Sequence, residues 1–362
     1  MNAARSLHGA GQSLWLDNIT RNLVASGELA RYIADAAVTG LTSNPAIFDK
    51  AISGGHEYDA QAIELARKGL NTEAIFFAVA IDDLRAAAAL FKPAWDRSNG
   101  TDGWVSLEVS PRLAYDAERT IAEAVALHSR AGIPNLLIKV PGTREGLTAI
   151  EELTYRGISV NVTLLFSEDQ YLAAAGAYRK GIERRRSAAL GLRVPSVASL
   201  FVSRWDRATA DRLPANLKDE LGIALAKQTY RSYRTLLASA PWKALVERGA
   251  CPQRLLFAST GTKESTKPDT YYVEALAATD TIDTIPQATL DAFVEHGKLG
   301  ALLSADGGNA DDVVARIAAA GVDVPALAAT LQTAGAAAFV ESWDHLLQSI
   351  ASKVSADARP TR

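Results

Sequence analysis

The chain has 362 residues, of which 48% are hydrophobic and 22% are charged, and its formal net charge is −3 at pH 7. This composition is typical of a globular enzyme with a large core, and the charge gives no indication of a nucleic-acid or anionic-membrane partner. We find no apolar run of membrane-spanning length and no signal-peptide segment at the N-terminus. Cys251 is the only cysteine, which excludes an internal disulfide, so we expect a cytoplasmic protein.

Short apolar runs alternate with helical patterns along most of the chain. The runs that predict buried strands are Leu14–Asn18, Gly40–Pro45, Trp104–Val109, Asn135–Thr143, Ile158–Leu165, Pro195–Ser203, Leu255–Ser259 and Thr279–Ile285. The clearest helical patterns lie at Gly27–Ala37, His56–Ala94, Ala114–Arg130, Arg144–Tyr155, Glu168–Arg185 and Asp219–Ala238. Because each pair of strands is separated by room for a helix, the order predicts an α/β protein, a single (β/α)8 TIM barrel rather than an open doubly wound sheet.

The last part of the chain predicts additional helices. Residues 289–352 show helical patterns, with Pro325 at a favourable position for a first turn. The residues that follow, 353–362, are mostly polar. We therefore expect one barrel domain over residues 1–362, with a C-terminal helical segment packed on the barrel and a short polar tail.

Lys139 stands inside the almost unbroken apolar run NLLIKVPGT. Burying an ammonium group is costly, so we expect this lysine either to lose its proton readily or to have a partner. A desolvated lysine amine can attack a carbonyl group and form a Schiff base. The alternative is a lysine at the end of a strand whose amine reaches water.

Polar side chains stand near the C-terminal ends of most of the predicted strands. They are Asp17, Thr42, Asn44, Glu108, Lys139, Asn161, Thr163, Ser199, Ser203 and Ser259. In a barrel these ends meet at one mouth, which predicts a pocket with one lysine and two carboxylates. A lysine can form an iminium there while the carboxylates move protons. Any single Ser, Thr or Asn can equally be a helix cap.

Six blocks in order carry a resemblance to a known family. They are LWLDNITR, GLTSNPAIF, SLEVSPRLA, LLIKVPGT, GISVNVTLLFS and VASLFVSRWD, and the later block LLFASTGTK extends the similarity to Lys263. Together they resemble the transaldolases, class I (Schiff-base) aldolases of the pentose phosphate pathway. The resemblance implies a (β/α)8 barrel with a C-terminal helical segment over it, sugar phosphates as substrates and no cofactor. It is compatible with a monomer or a homodimer.

The resemblance also implies roles for individual catalytic residues. Lys139 matches the Schiff-base lysine, and Asp17 matches the aspartate that takes the proton of a sugar hydroxyl as the C3–C4 bond breaks. Glu108 matches the glutamate that moves protons through a bound water, and Thr163 matches the threonine that holds this water.

A second group of residues matches the substrate-binding positions of the family. Asn44, Asn161 and Ser199 match groups that bind sugar hydroxyls, and we place Thr42 in the same set from its position at a strand end. The residues that match an aromatic wall, a phosphate-binding arginine and a phosphate-binding serine are, in that order, Phe201, Arg204 and Ser259.

One position departs from the family pattern. Many transaldolases carry a second phosphate-binding arginine at the position of Gly261. Lys263 in the same loop is our candidate for the missing charge, and the backbone N–H groups of residues 260–262 can help to cradle phosphate. For Arg204 the alternative is a solvated ion cluster with Asp206 and Arg207 at a helix start.

The predicted function is transfer of a dihydroxyacetone unit between sugar phosphates. The nearer alternative is a fructose-6-phosphate aldolase, which releases free dihydroxyacetone. Relatives with that activity are much shorter and have a tyrosine where this chain has Phe201. A pyridoxal phosphate enzyme that uses Lys139 and a non-catalytic phosphosugar-binding protein are the further alternatives. The five histidines have no paired ligand spacing, so we predict no metal site.

Overall fold

The computed structural model describes residues 2–262 and 267–357. Within them, eight parallel strands form one sheet: β1 (Gln12–Asp17), β2 (Val38–Thr42), β3 (Val105–Glu108), β4 (Leu136–Pro141), β5 (Val160–Leu165), β6 (Ser196–Phe201), β7 (Gln253–Ala258) and β8 (Thr281–Ile285). The order across the sheet is β2-β1-β8-β7-β6-β5-β4-β3. The edges β2 and β3 meet where Leu41 N donates to Trp104 O at 2.9 Å and Gly103 N donates to Thr39 O at 2.7 Å. The sheet is therefore a closed barrel, which confirms the predicted fold.

Helices follow the strands and surround the barrel. In the described part of the chain they are α1 (Ala3–Gly9), α2 (Arg21–Ala25), α3 (Glu28–Ala36), α4 (Pro45–Gly54), α5 (Asp59–Arg67), α6 (Thr72–Arg97), α7 (Ala117–Ala131), α8 (Arg144–Arg156), α9 (Glu168–Ser187), α10 (Ser203–Thr209), α11 (Leu221–Ala238), α12 (Ala240–Val246), α13 (Tyr271–Ala275), α14 (Gln287–His296), α15 (Ala310–Ala319) and α16 (Val324–Asp357). Short 3₁₀ turns lie at Pro111–Leu113 and Ala215–Leu217.

The predicted and observed elements differ mainly at their ends. All eight predicted strands are confirmed, with boundaries that shift by at most three residues. The helical patterns predicted over His56–Ala94 form two helices, α5 and α6, and Asn71 caps α6 by accepting from Ala74 N. Helix α1, which packs against β1, is not predicted. Helix α16 continues to Asp357, beyond the predicted helix end at Ser352.

The barrel separates two apolar layers, as β4 illustrates. Leu136, Ile138 and Val140 belong to one apolar cluster, whereas Leu137 belongs to a second cluster that includes inward residues of the other strands. Side chains along a strand alternate between its two faces, so Lys139 faces inward like Leu137. A buried strand that is apolar on both faces therefore carries its one lysine toward the barrel axis.

The C-terminal helix α16 crosses the outside of α4, α5 and α6 and reaches the end of β5. This path places its middle turns over the C-terminal ends of the strands. No single helix in residues 2–262 and 267–357 is long and apolar enough to cross a membrane, although α15 and α16 pass that test as a pair bent by 92°.

Candidate active site

A cavity of about 650 Å³ lies at the C-terminal end of the barrel. Residues predicted from the strand ends and their following loops line one side of it: Asp17, Thr42, Asn44, Lys139, Ser199, Phe201, Arg204 and Ser259. The other side comes from α16, through Leu331, Ala334, Gly335, Ala338 and Phe339. The cavity is therefore closed by two parts of the chain, the strand ends with their following loops and the C-terminal helix.

Lys139 and Glu108 form a buried ion pair at the base of this cavity. They are paired directly across β3 and β4, and Lys139 Nζ lies 3.0 Å from Glu108 Oε2. The lysine side chain is 6% exposed and the glutamate side chain 7%. Lys139 Nζ also donates to Ser43 O at 3.0 Å. The alternative of an amine that reaches water is therefore wrong, and the expected partner is a carboxylate.

The environment of Glu108 shifts the pKa of its carboxyl upward. Burial raises the pKa of this carboxyl, and the nearby positive charge of Lys139 only partly opposes the effect. Asp17 adds to the rise through its negative charge. A carboxyl group with a raised pKa, 3.0 Å from an amine, is suited to receive a proton from that amine and to return it.

Asp17 belongs to a second polar group, at the ends of β1, β2 and β8. Thr42 is its paired residue on β2, and Thr42 Oγ1 donates to Asp17 Oδ1 at 2.7 Å. Thr284 Oγ1 lies 2.6 Å from the Thr42 hydroxyl oxygen. These contacts orient the Asp17 carboxylate at the cavity wall. Asn44 also lines the cavity, and its Oδ1 accepts from Ile47 N at 3.1 Å, so it serves as the cap of α4.

Asn161 and Ser199 form a fully buried pair beneath the cavity. Ser199 Oγ donates to Asn161 Oδ1 at 2.7 Å, and Asn161 Nδ2 donates to Ser106 Oγ at 3.1 Å. Thr163 lies two residues further along β5, and its buried Oγ1 has no hydrogen-bond partner among the described residues. A buried hydroxyl without a partner is costly, which makes it a strong candidate to hold a small polar molecule.

Arg204 lies against two aromatic rings at the cavity rim. Its guanidinium carbon is 5.0 Å from the ring centre of Phe201 and 5.7 Å from that of Phe339. Asp206 faces elsewhere: it accepts from Gly222 N at 3.0 Å and from Tyr272 OH at 2.9 Å, and burial raises its pKa to about 6. The alternative of an ion cluster with Asp206 is therefore wrong. Arg204 has no ion pair within residues 2–262 and 267–357, and it presents its charge to the cavity.

The loop after β7 supplies the remaining predicted contacts. Ser259 has a φ of 58°, a strained value for a residue with a side chain, and its Oγ lies 2.9 Å from Ser203 Oγ. At Gly261 a Cβ atom would lie 2.8 Å from Pro286 Cγ, so this position has no room for a side chain in the present arrangement. Lys263, the predicted second phosphate contact, lies outside the described residues.

Comparison with known families fits this arrangement. Residues 14–350 match the family described as Transaldolase/Fructose-6-phosphate aldolase. The chain belongs to this family. Similar proteins named Transaldolase include those of Frankia alni (42% identical, over 98% of each chain), Thermobifida fusca (42%, over 97% of this chain and 98% of the relative) and Mycobacterium ulcerans (41%, over 98% of each). The resemblance noted from the sequence blocks is thus confirmed.

In this member of the Transaldolase/Fructose-6-phosphate aldolase family, several cavity residues were not predicted. Thr284 stands near the end of a predicted strand, where its position alone could have identified it. Arg207 lines the cavity beside Arg204 and has no ion pair with a described residue. Gly335 and Phe339 give no sequence signal, because they lie in an alanine-rich helix far from every motif. No group of three or more His, Cys, Asp or Glu side chains in the described ranges could hold a metal ion.

Proposed function

We propose that the chain is a transaldolase of the non-oxidative pentose phosphate pathway. It transfers a dihydroxyacetone unit from sedoheptulose 7-phosphate or fructose 6-phosphate to glyceraldehyde 3-phosphate or erythrose 4-phosphate, through a Schiff base on Lys139. The observation that carries the proposal is the buried Lys139–Glu108 pair, 3.0 Å apart, at the base of the barrel-mouth cavity. Relatives named Transaldolase that match over nearly their whole length support transfer as the outcome.

The first half of the reaction forms the Schiff base. The neutral amine of Lys139 attacks the ketone carbon, and the carbinolamine then loses water to give an iminium. Glu108, whose pKa is raised by burial, takes and returns the protons that these steps move. The unpartnered Thr163 hydroxyl is the group that we assign to the water through which Glu108 acts.

The second half breaks and remakes a carbon–carbon bond. The Asp17 carboxylate, held by Thr42, takes the proton of the C4 hydroxyl. The C3–C4 bond breaks, its electron pair moves toward the iminium nitrogen, and an aldose phosphate leaves. The three-carbon enamine stays on Lys139 until an acceptor aldose phosphate enters. The same steps in reverse then release the new ketose phosphate, so neither a metal nor a cofactor is required.

Binding of the sugar phosphate divides between the two ends of the cavity. We assign the hydroxyl groups of the three-carbon unit to Asn161 and Ser199 below, and to Thr42 and Asn44 at the side. At the rim, Phe201 is the aromatic wall. The groups that we assign to the phosphate are Arg204, Ser259 and, as a prediction, Lys263.

We also propose that the whole chain acts as one domain, in the cytoplasm, on small sugar phosphates. Helix α16 supplies Gly335 and Phe339 to the cavity wall, so the cavity is incomplete without the C-terminal helix. This supports the proposal of a single domain. The presence of a single cysteine supports a reducing compartment.

A two-substrate assay tests the proposed function. The purified chain is incubated with fructose 6-phosphate and erythrose 4-phosphate, and with fructose 6-phosphate alone. We expect sedoheptulose 7-phosphate in the first mixture and little free dihydroxyacetone in the second. Free dihydroxyacetone at an equal rate would favour the aldolase alternative, and a lack of both products from folded protein would overturn the proposal. Lys139→Met is the inactive control.

A further inference from the structure

Phe339 stands directly over the reacting lysine. The centre of its ring is 5.6 Å from Lys139 Nζ, and 6.5 Å from the ring centre of Phe201. Phe339 is 7% exposed and lines the cavity. The lysine nitrogen therefore lies close to two polar groups, Glu108 and the Ser43 carbonyl, and also to an aromatic ring.

The helix that carries Phe339 is held against the barrel by two hydrogen bonds from Gln332 and by a close contact at Gly335. Gln332, two helical turns before Phe339 and on the same face, donates from Nε2 to Gly142 O at 3.0 Å and to Leu164 O at 2.9 Å. Between them, Gly335 permits close approach: a Cβ atom there would lie 2.9 Å from Leu164 Cδ2 and 3.1 Å from Arg204 Nη1. The position of the Phe339 ring is thus fixed by contacts on the same helix face.

Transfer and release of the three-carbon unit both end in hydrolysis by one water, and they differ in what bonds to the carbanionic carbon of the enamine. For release, a proton must be added to the carbanionic carbon of the enamine, two bonds from the lysine nitrogen. One water then adds to the carbon of the resulting C=N bond, and the carbinolamine expels the Lys139 amine to give free dihydroxyacetone. For transfer, the same carbanionic carbon forms its bond to the acceptor carbonyl instead. Water that enters from the mouth would supply the first proton and so favour release.

We propose that Phe339 determines how the intermediate is partitioned, by keeping water on the mouth side away from the enamine carbon. This inference rests on the proposed function. The ring offers no hydrogen-bonding group to water, and it lines the mouth cavity next to Lys139 Nζ. Its face also attracts the positive charge of the iminium nitrogen, since 5.6 Å is within the range of such contacts. Phe339 is thus a positioning residue that favours transfer over release.

The test compares Phe339→Ala and Phe339→Leu with Leu347→Ala. Leu347 is also on α16 but packs into the outer core and does not line the cavity, so it controls for a general loosening of the helix. Each protein receives fructose 6-phosphate with and without erythrose 4-phosphate. The quantity measured is the rate of dihydroxyacetone release divided by the rate of sedoheptulose 7-phosphate formation. In D₂O, deuterium in the released dihydroxyacetone, on the carbon that was bonded to the departing aldose, reports protonation of the enamine by solvent.

We expect the ratio of release to transfer to rise at least tenfold in Phe339→Ala, less in Phe339→Leu, and not in Leu347→Ala. If transfer falls in both Phe339 variants while the ratio stays that of the unmodified chain, the inference is overturned and Phe339 only supports the fold. The leucine variant keeps the test valid if the alanine variant does not fold. An unmodified chain that forms no borohydride-trapped adduct would instead contradict the proposed function itself.

Discussion

Asp283 of β8 should make the protein less stable as the pH rises. Its side chain is fully buried, Oδ1 accepts from Thr260 Oγ1 at 2.8 Å, and Oδ2 has no partner among the described residues. Burial therefore raises the pKa of this carboxyl from 3.8 to about 7, while the Thr260 hydrogen bond only partly opposes the effect. The folded protein holds this proton to a higher pH than the unfolded chain does, so Asp283 costs stability between about pH 4 and pH 7.

The size of this cost follows from the pKa. One pH unit corresponds to about 1.4 kcal/mol, so full ionisation of Asp283 lowers the free energy of unfolding by about 4 kcal/mol. About 1.5 kcal/mol of this is already lost at pH 5, and nearly all of it at pH 8. An asparagine side chain at this position cannot ionise and still offers an oxygen to Thr260. We therefore expect the difference in free energy of unfolding between Asp283→Asn and the unmodified chain to increase by ~2.5 kcal/mol from pH 5 to pH 8, in favour of the variant.

Urea unfolding at pH 5, 6, 7 and 8 measures this difference. The exposed Asp211→Asn variant controls for the loss of one negative charge. A difference between Asp283→Asn and the unmodified chain that stays constant from pH 5 to pH 8, or that grows toward low pH, would refute the reasoning. It would mean that Asp283 is charged throughout this range in the folded protein.

Three further changes probe the cavity. Thr163→Val removes a buried hydroxyl without a partner, so we expect stability to rise by ~1 kcal/mol while kcat falls about 100-fold through loss of the ordered water. Arg207→Ala removes a cavity-lining cation without an ion pair among the described residues, and we expect KM for fructose 6-phosphate to rise about fivefold with kcat retained. Gly335→Ala places a methyl group 3.1 Å from Arg204 Nη1, so we expect KM for phosphorylated donors to rise about tenfold.

Each of these changes has its own measurement and contradictory result. For Thr163→Val, a thermal-unfolding curve is compared with single-turnover rates, and a fall in both stability and rate would show a merely structural hydroxyl. For Arg207→Ala, the exposed Arg212→Ala is the matched control, and equal KM values in the two would show that Arg207 does not contribute to substrate binding. For Gly335→Ala, an unchanged KM would mean that the side chains of Leu164 and Arg204 can move away from the added methyl group without weakening substrate binding.

The strands, and the polar side chains that they bring to the barrel mouth, could be predicted because both follow from local pattern. Apolar runs indicated the positions of the eight strands, and polar groups near the ends of most of them indicated the mouth, where Lys139 and Glu108 are indeed direct neighbours. Pairing across adjacent parallel strands is a consequence of the barrel, so residues at equal depth come together without further information.

The contribution of α16 could not be predicted in the same way. Its apolar residues are mostly alanines with no distinct pattern, and the contact of Phe339 with Lys139 depends on how a helix two hundred residues away crosses the barrel. The hydrogen-bond partners of Asp206 could not be predicted either. Neither its charge nor its spacing from Arg204 indicates that Tyr272 and Gly222 donate to its carboxylate. Long-range packing decided both.

Borohydride trapping tests the central claim most directly. The full chain is mixed with fructose 6-phosphate, without acceptor, reduced with borohydride and analysed by peptide mass. We predict a reduced dihydroxyacetone adduct on Lys139, and its disappearance when erythrose 4-phosphate is added before reduction. An adduct on a different lysine, or none on folded protein, would contradict a Schiff base at the Lys139–Glu108 pair.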